Sequence, residues 1–244
     1  MIHRPPSHPP LGQVLDALEH LYGPQKAAGP TDPYEMILFL NCGYPAADAS
    51  CIKGFVALKR EVGLAPDEIL AAPPATLTPL MRLGGIMPAE RAERLQDIAR
   101  AVQRDCGGDL RATLKRWMRE EQQHPGQGIR GAKRLLQQFP VIGEPSAEKI
   151  LLFGKLAPVA AVPSAFVQVP VRLWHGDAGT SYSADYRKAR ETLRAGLPES
   201  FAARQRAYLL LKKHGQEICK RSTPRCEICP VTGHCAYLRA RAAD

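Results

Sequence analysis

The sequence predicts an all-α fold of short helices joined by short connections. Three observations predict it. Apolar residues recur at helical spacing in one segment after another. Gly and Pro punctuate the gaps between those segments. No run alternates apolar and polar residues as a half-buried strand does. The most strand-like stretch is Pro158 to Val171, rich in Val, and its prolines argue against a central strand.

Taken in order, residues 1–10 hold Pro and His and are expected to be loose. Leu11 to Tyr22 reads as an amphipathic helix through Leu11, Val14, Leu15, Leu18, Leu21 and Tyr22. Gly23-Pro24 and Gly29-Pro30 break the chain after it. Thr31-Asp32-Pro33 starts a wholly buried helix carrying Met36, Ile37, Leu38, Phe39 and Leu40. Gly43 to Asp48 interrupts, and a further helix runs to about Val62. Pro66-Asp67-Glu68 opens a short helix, and Ala75 to Leu83 is another. Gly84-Gly85 turns into a long helix from Pro88 to about Arg104. Leu110 to Gln123 is amphipathic again. A helix from about Gly128 to Phe139 meets the turn Pro140-Val141-Ile142-Gly143, and a new helix starts near Pro145. Ala184 to Ala195 and Phe201 to Ile218 are the last helices expected. There is no fixed-period repeat.

At 244 residues the chain holds one large domain or two small ones, and 45% apolar residues suffice for a core. The formal charge of +9 favours an anionic partner, with nucleic acid ahead of membrane. No run of apolar residues is long enough to span a bilayer, so no membrane association is expected. The N-terminal MIHRPPSHPP lacks an apolar signal-peptide core, which points to a cytoplasmic setting. Of seven cysteines, Cys42, Cys51 and Cys106 are then expected as reduced thiols.

The other four form one run, CKRSTPRCEICPVTGHC, from Cys219 to Cys235. The spacing is C-x6-C-x2-C-x5-C. Four converging thiolates suit an iron–sulfur cluster or zinc. The Cys226-x2-Cys229 pair lets one turn present two sulfurs, and Pro224 and Pro230 restrict the chain around it. Zinc sites usually show two CxxC knuckles and this run has one, so zinc ranks second. Two disulfides rank third, because nothing else in the chain looks secreted. Lys212, Lys213, His214, Lys220, Arg221 and Arg225 surround the first two cysteines, as a solvated face or as phosphate contacts.

This cysteine run resembles the [4Fe-4S] loop of the endonuclease III family of DNA repair glycosylases in both spacing and position. The turn Phe139-Pro140-Val141-Ile142-Gly143-Glu144-Pro145-Ser146-Ala147 resembles the same family's helix-hairpin-helix, which usually reads L-P-G-V-G-x-x-T-A. The resemblance spans about residues 12–240. It implies a [4Fe-4S] cluster on Cys219, Cys226, Cys229 and Cys235. It implies a six-helix barrel over 31–154 ending in the hairpin, and a cluster domain from 11–30 with 155–244. Double-stranded DNA would lie in the cleft between them, bound by a monomer. The implied DNA contacts are Val141, Gly143, Pro145 and Ser146 at the hairpin, where unpartnered N–H groups suit a phosphate. Lys212, Lys213, Lys220, Arg221 and Arg225 beside the cluster complete them.

The chain departs from the family where the chemistry lies. A Lys two residues after the last hairpin glycine attacks the sugar in bifunctional members; that place is Pro145, which has no free amine. An Asp after the hairpin helix supports the charge developing on the sugar; that place is Pro163, in Val162-Pro163-Ser164-Ala165-Phe166-Val167-Gln168-Val169. Ala165 and Gln168 replace the polar and basic residues that usually follow. No Asp or Glu lies between Lys149 and His175, so a slip of register does not restore the carboxylate. Val141 replaces the first hairpin glycine and narrows backbone access to a phosphate. The family's gap-filling Gln has no counterpart in Leu40-Asn41-Cys42-Gly43-Tyr44-Pro45, where Tyr44 is either a stacking wedge or a buried core residue. Glu144, Lys149 and Asp177 are the nearest possible substitutes, and each reads more simply as a surface residue or cap.

Three functions follow. The first is a DNA-binding endonuclease III-like protein without the standard lyase step, either non-catalytic or differently catalytic. The second is a divergent monofunctional glycosylase that removes damaged or mismatched bases. The third is an iron–sulfur redox protein, against which the charge and the hairpin speak.

Overall fold

The computed structural model describes residues 11–43, 48–177, 179 and 181–242. Its α-helices are α1 (Leu11–Tyr22), α2 (Pro33–Asn41), α3 (Asp48–Glu61), α4 (Pro66–Ala71), α5 (Pro74–Arg82), α6 (Pro88–Cys106) and α7 (Leu110–Gln123). They continue as α8 (Gln127–Leu136), α9 (Glu144–Phe153), α10 (Gln168–His175), α11 (Tyr182–Gly196), α12 (Phe201–Glu217) and α13 (Ala236–Arg241). Among the described residues there is no strand, and no helix is long and apolar enough to cross a membrane.

The chain forms two compact units. Ala28–Ala157 is one; the chain up to Ala27 and from Pro158 onward is the other. In the first, α2 to α9 start where local chemistry dictates. Asp32 accepts from the Tyr34 and Glu35 N–H groups at 2.9 and 3.2 Å, capping α2, and Pro33 fills the first position, where no N–H is needed. The same carboxylate takes Arg111 Nε at 2.9 Å, and Arg111 also donates to the carbonyls of Gly154 and Thr31. One cap therefore ties α2 to α7 and to the end of α9. The α7–α8 pair closes tightly because Gly131 has no side chain: a Cβ there would sit 2.4 Å from the Trp117 ring.

In the second unit α1 packs on α11 and α12, and α10 packs on α11, α12 and α13. Val14, Leu18, Trp174, Leu193, Leu211 and Val231 share its core. Each fully buried aliphatic side chain contributes roughly 1.5–3 kcal/mol. Val231 and Cys235 belong to the cysteine run and anchor that loop in the core.

The structure differs from the sequence reading in three places. Pro158 to Val171 forms no strand, as its prolines argued; the difference is that a 3-10 turn (Ser164–Phe166) leads into the unexpected helix α10 within it. Pro170 lies in the first turn of α10, where its missing N–H has no intrahelical partner to lose, so it is tolerated rather than disruptive. The helix expected to reach Phe139 ends at Leu136, and residues 137–139 close as tight turns onto Lys133, Leu135 and Leu136. The closing helix α13 has no counterpart in the sequence reading. Residues 1–10 and Tyr44, read above as loose chain and as a wedge or core residue, lie outside the described residues.

Candidate functional site

The cysteine loop starts where α12 ends. The N–H groups of Ile218 and Cys219 both donate to the His214 carbonyl, at 2.9 and 2.8 Å, so the helix tightens before the chain leaves. Arg225 N–H returns to the Ile218 carbonyl at 2.9 Å and closes the first half of the loop. Cys226 opens a 3-10 turn, and Cys229 N–H donates to its carbonyl. A second 3-10 turn, Thr232–His234, delivers Cys235 as the cap of α13.

Cys219, Cys226, Cys229 and Cys235 line one small cavity, with Arg172 and His214 on its wall. Among the described residues, no three His, Cys, Asp or Glu side chains close to the spacing that a single metal ion requires. Arg172, 7% exposed, donates to the carbonyls of Lys220 and Arg221 at 2.7 Å each and approaches Cys219 Sγ at 3.8 Å. It also lies over the Tyr237 ring. Its Nε has no hydrogen-bond partner, and no carboxylate pairs with it among the described residues. Gln168 donates to the Cys219 carbonyl at 3.2 Å. Burial pushes the Cys219 and Cys226 thiols up and Cys229 to about 11, and neighbouring thiols add to this. The hydrogen bond and charge of Arg172 act the other way at Cys219.

The hairpin is α8, the turn 137–143 and α9. Val141 adopts φ 59°, the left-handed region that a β-branched residue rarely enters. Gly143 is the N-cap of α9 and no side chain caps that start, while Pro145 sits in the first turn. Lys133 of α8 bridges both acids of α9, at 2.5 Å to Glu144 and 2.7 Å to Glu148, whose side chain is 4% exposed. Asn41 at the end of α2 donates to the Pro140 carbonyl at 3.1 Å, which fixes the turn from the other side.

The places implied for catalysis hold no titratable group. Pro145 is half-buried, and Pro163 is buried at the start of the Ser164–Phe166 turn. Of the substitutes, Glu144 is held by Lys133, Asp177 is exposed and Lys149 is half-buried on α9. Lys220, Arg221 and Arg225 are exposed, whereas Lys212 and Lys213 are half-buried. Lys213 pairs with Glu217 at 2.7 Å.

Sequence reasoning missed two features. Glu148 with Lys133 joins residues on facing helices, and no local pattern marks such a pair. The turn between α5 and α6 exposes Leu83, Ile86 (73%) and Met87 (49%), with Met87 at φ 57°. The signal was present in Leu83-Gly84-Gly85-Ile86-Met87, a turn that is apolar where turns are usually polar.

No family model matches the chain. Endonuclease III of Thermotoga maritima is 25% identical over 211 residues, 86% of either chain. A trapped Endonuclease III–DNA covalent intermediate has a similar structure, with a TM-score of 0.71 and 18% identity over 95% of this chain and 97% of that one. A thermostable thymine-DNA glycosylase gives 0.69 at 18% identity, over 94% and 95%. The chain is thus related in sequence to Endonuclease III and shares its all-α fold with these solved structures.

Proposed function

We propose that the chain binds duplex DNA as an endonuclease III-like protein with a [4Fe-4S] cluster on Cys219, Cys226, Cys229 and Cys235, and that it lacks the Schiff-base lyase step. The observation that carries this reading is the pairing of four thiols around one cavity with prolines at both places implied for catalysis.

The residues around the cavity fit such a cluster. A buried guanidinium favours a counter-charge, and Arg172 has carbonyls and a sulfur but, among the described residues, no carboxylate. Four thiolates with a cluster carry net negative charge at that point. Four thiols line one cavity, and their run has a single CxxC where zinc sites usually have two, which favours a cluster over zinc. When bound, the cluster supplies a covalent crosslink between the turns of the loop and a one-electron couple. The raised thiol pKa values add that loading must release protons, since metals bind thiolate.

Several features support the DNA reading. Exposed Lys220, Arg221 and Arg225 offer charge to phosphates, and Arg172 holds the Lys220 and Arg221 carbonyls in place. The uncapped start of α9 offers backbone donors. The apolar turn with Ile86 and Met87 suits insertion between base steps. The relatives named above include Endonuclease III in complex with DNA. A lyase step needs a free amine. Pro145 has none, and Lys133 is engaged by the Glu144 and Glu148 carboxylates.

Iron analysis and visible absorbance, combined with fluorescence anisotropy on duplex DNA over a salt series, test the proposal. Brown protein with about four irons per chain and affinity falling steeply with salt is expected. Colourless, iron-free protein that ignores duplex at low salt would overturn it.

A further inference from the structure

We infer that Tyr22 and His214 form a hydrogen-bonded relay that holds an imidazole N–H donor on Cys229 Sγ and thereby raises the reduction potential of the cluster. The inference rests on the cluster reading above.

His214 is 1% exposed and lies in α12, ahead of Cys219. Both of its ring nitrogens are engaged. Nδ1 is 3.0 Å from the Tyr22 hydroxyl and Nε2 is 3.7 Å from Cys229 Sγ. The Tyr22 and His214 rings are tilted at 54° with centroids 6.1 Å apart, so the pair meets through the hydroxyl rather than by stacking. The His214 backbone is held as well, because its carbonyl accepts the Ile218 and Cys219 N–H groups.

The direction of the two bonds follows from donor counting. A thiolate bound in a cluster has no proton to give and can only accept. Nε2 must then carry the hydrogen. In a neutral ring Nδ1 is bare and accepts, so the Tyr22 hydroxyl donates. The opposite tautomer would set a bare nitrogen against a bare sulfur. The sulfur thus sets the tautomer, and Tyr22 supports it by donating to the bare Nδ1. An N–H donor withdraws charge from the sulfur and favours the more reduced, more negative cluster, which moves the potential positive. A neutral imidazole does this in a buried site without adding a charge.

Film voltammetry on iron-loaded protein tests the relay, with iron content measured on the same samples. His214→Phe removes the donor, and its potential should shift negative at unchanged iron content. His214→Gln, which keeps an amide N–H, should shift less. Tyr22→Phe removes one oxygen from a half-buried ring and with it the donor to Nδ1, so it should fall between wild type and His214→Phe. It also decides the matter should His214→Phe fail to fold. Iron-loaded variants with the wild-type potential would overturn the relay while leaving the cluster in place. Wild-type protein without iron would overturn the cluster reading, and the relay with it.

Discussion

The cysteine loop and the hairpin are both turns between helices, and they are held together by different means. The hairpin has its own supports: Lys133 spans α8 and α9, Asn41 reaches the Pro140 carbonyl, and Ile150, Leu151 and Leu152 are buried behind it. The loop from Cys219 to Cys235 sends one fully buried aliphatic side chain, Val231, into the core. Otherwise it hangs on Arg172, Gln168 and His214, which reach it from other helices. A segment with so little apolar burial does not offset its own ordering entropy. The difference teaches that the hairpin can carry substitutions at Val141 and Pro145 and keep its shape, whereas the loop has little apolar burial of its own to hold it.

The largest expected effect breaks the loop alone. Cys226→Ala should lose iron and destabilise the unit containing α10–α13 by about 3 kcal/mol or more, roughly 6–12 °C in Tm. Calorimetry with iron analysis checks this, and unchanged melting and iron content would refute it. The matching cut in the hairpin is Glu148→Ala. It strips the buried partner from Lys133, although Glu144 remains, so about 2–3 kcal/mol should be lost, at or below the usual range for a broken buried pair. Iron content should not change. Denaturant unfolding of the loaded protein measures it.

Val141→Gly sharpens the comparison in the other direction. Removing the side chain relieves about 1 kcal/mol of left-handed strain, offset by a similar gain in unfolded-chain entropy. Stability should barely move. Backbone access to a phosphate should improve, and duplex affinity should rise about threefold to tenfold, equivalent to ~0.7–1.4 kcal/mol. Anisotropy titration reads this. The smallest effect is one of pH. Burial, then the neighbouring Cys51, raises the pKa of Cys42 in the hairpin's unit. A raised folded pKa gives stability that is complete below the unfolded thiol value and lost as pH rises beyond it. Stability of Ala28–Ala157 should therefore decline only above about pH 9, and Cys42→Ser should flatten that limb in unfolding curves taken across the alkaline range.

Much of this was legible in the sequence, and the reason differs by region. The cysteine spacing and the Pro140–Gly143 turn are local patterns, so they could be read directly. The helix starts at Pro33, Pro66 and Pro88 were equally plain, because proline at a first turn has one meaning. At Pro170 proline argued rightly against a central strand but did not reveal that it sits in the first turn of α10. The partners of the loop were out of reach. Arg172, Gln168 and Tyr22 lie 47, 51 and 192 residues from the groups they bond. The basic run was read as a block, yet Lys213 is occupied by Glu217 while Lys220, Arg221 and Arg225 stay exposed.

The central claim is a DNA-binding protein without a lyase step. Single-turnover reaction on duplex oligonucleotides carrying a lesion panel and an abasic site, run with and without alkali, tests it most directly. The account predicts bound duplex and no strand cleavage in the untreated lanes. Product only after alkali would add base removal by a monofunctional glycosylase and make Glu144, Glu148 and Asp177 the first residues to replace. Cleavage without alkali would contradict the account, because it requires an amine nucleophile that Pro145 cannot provide.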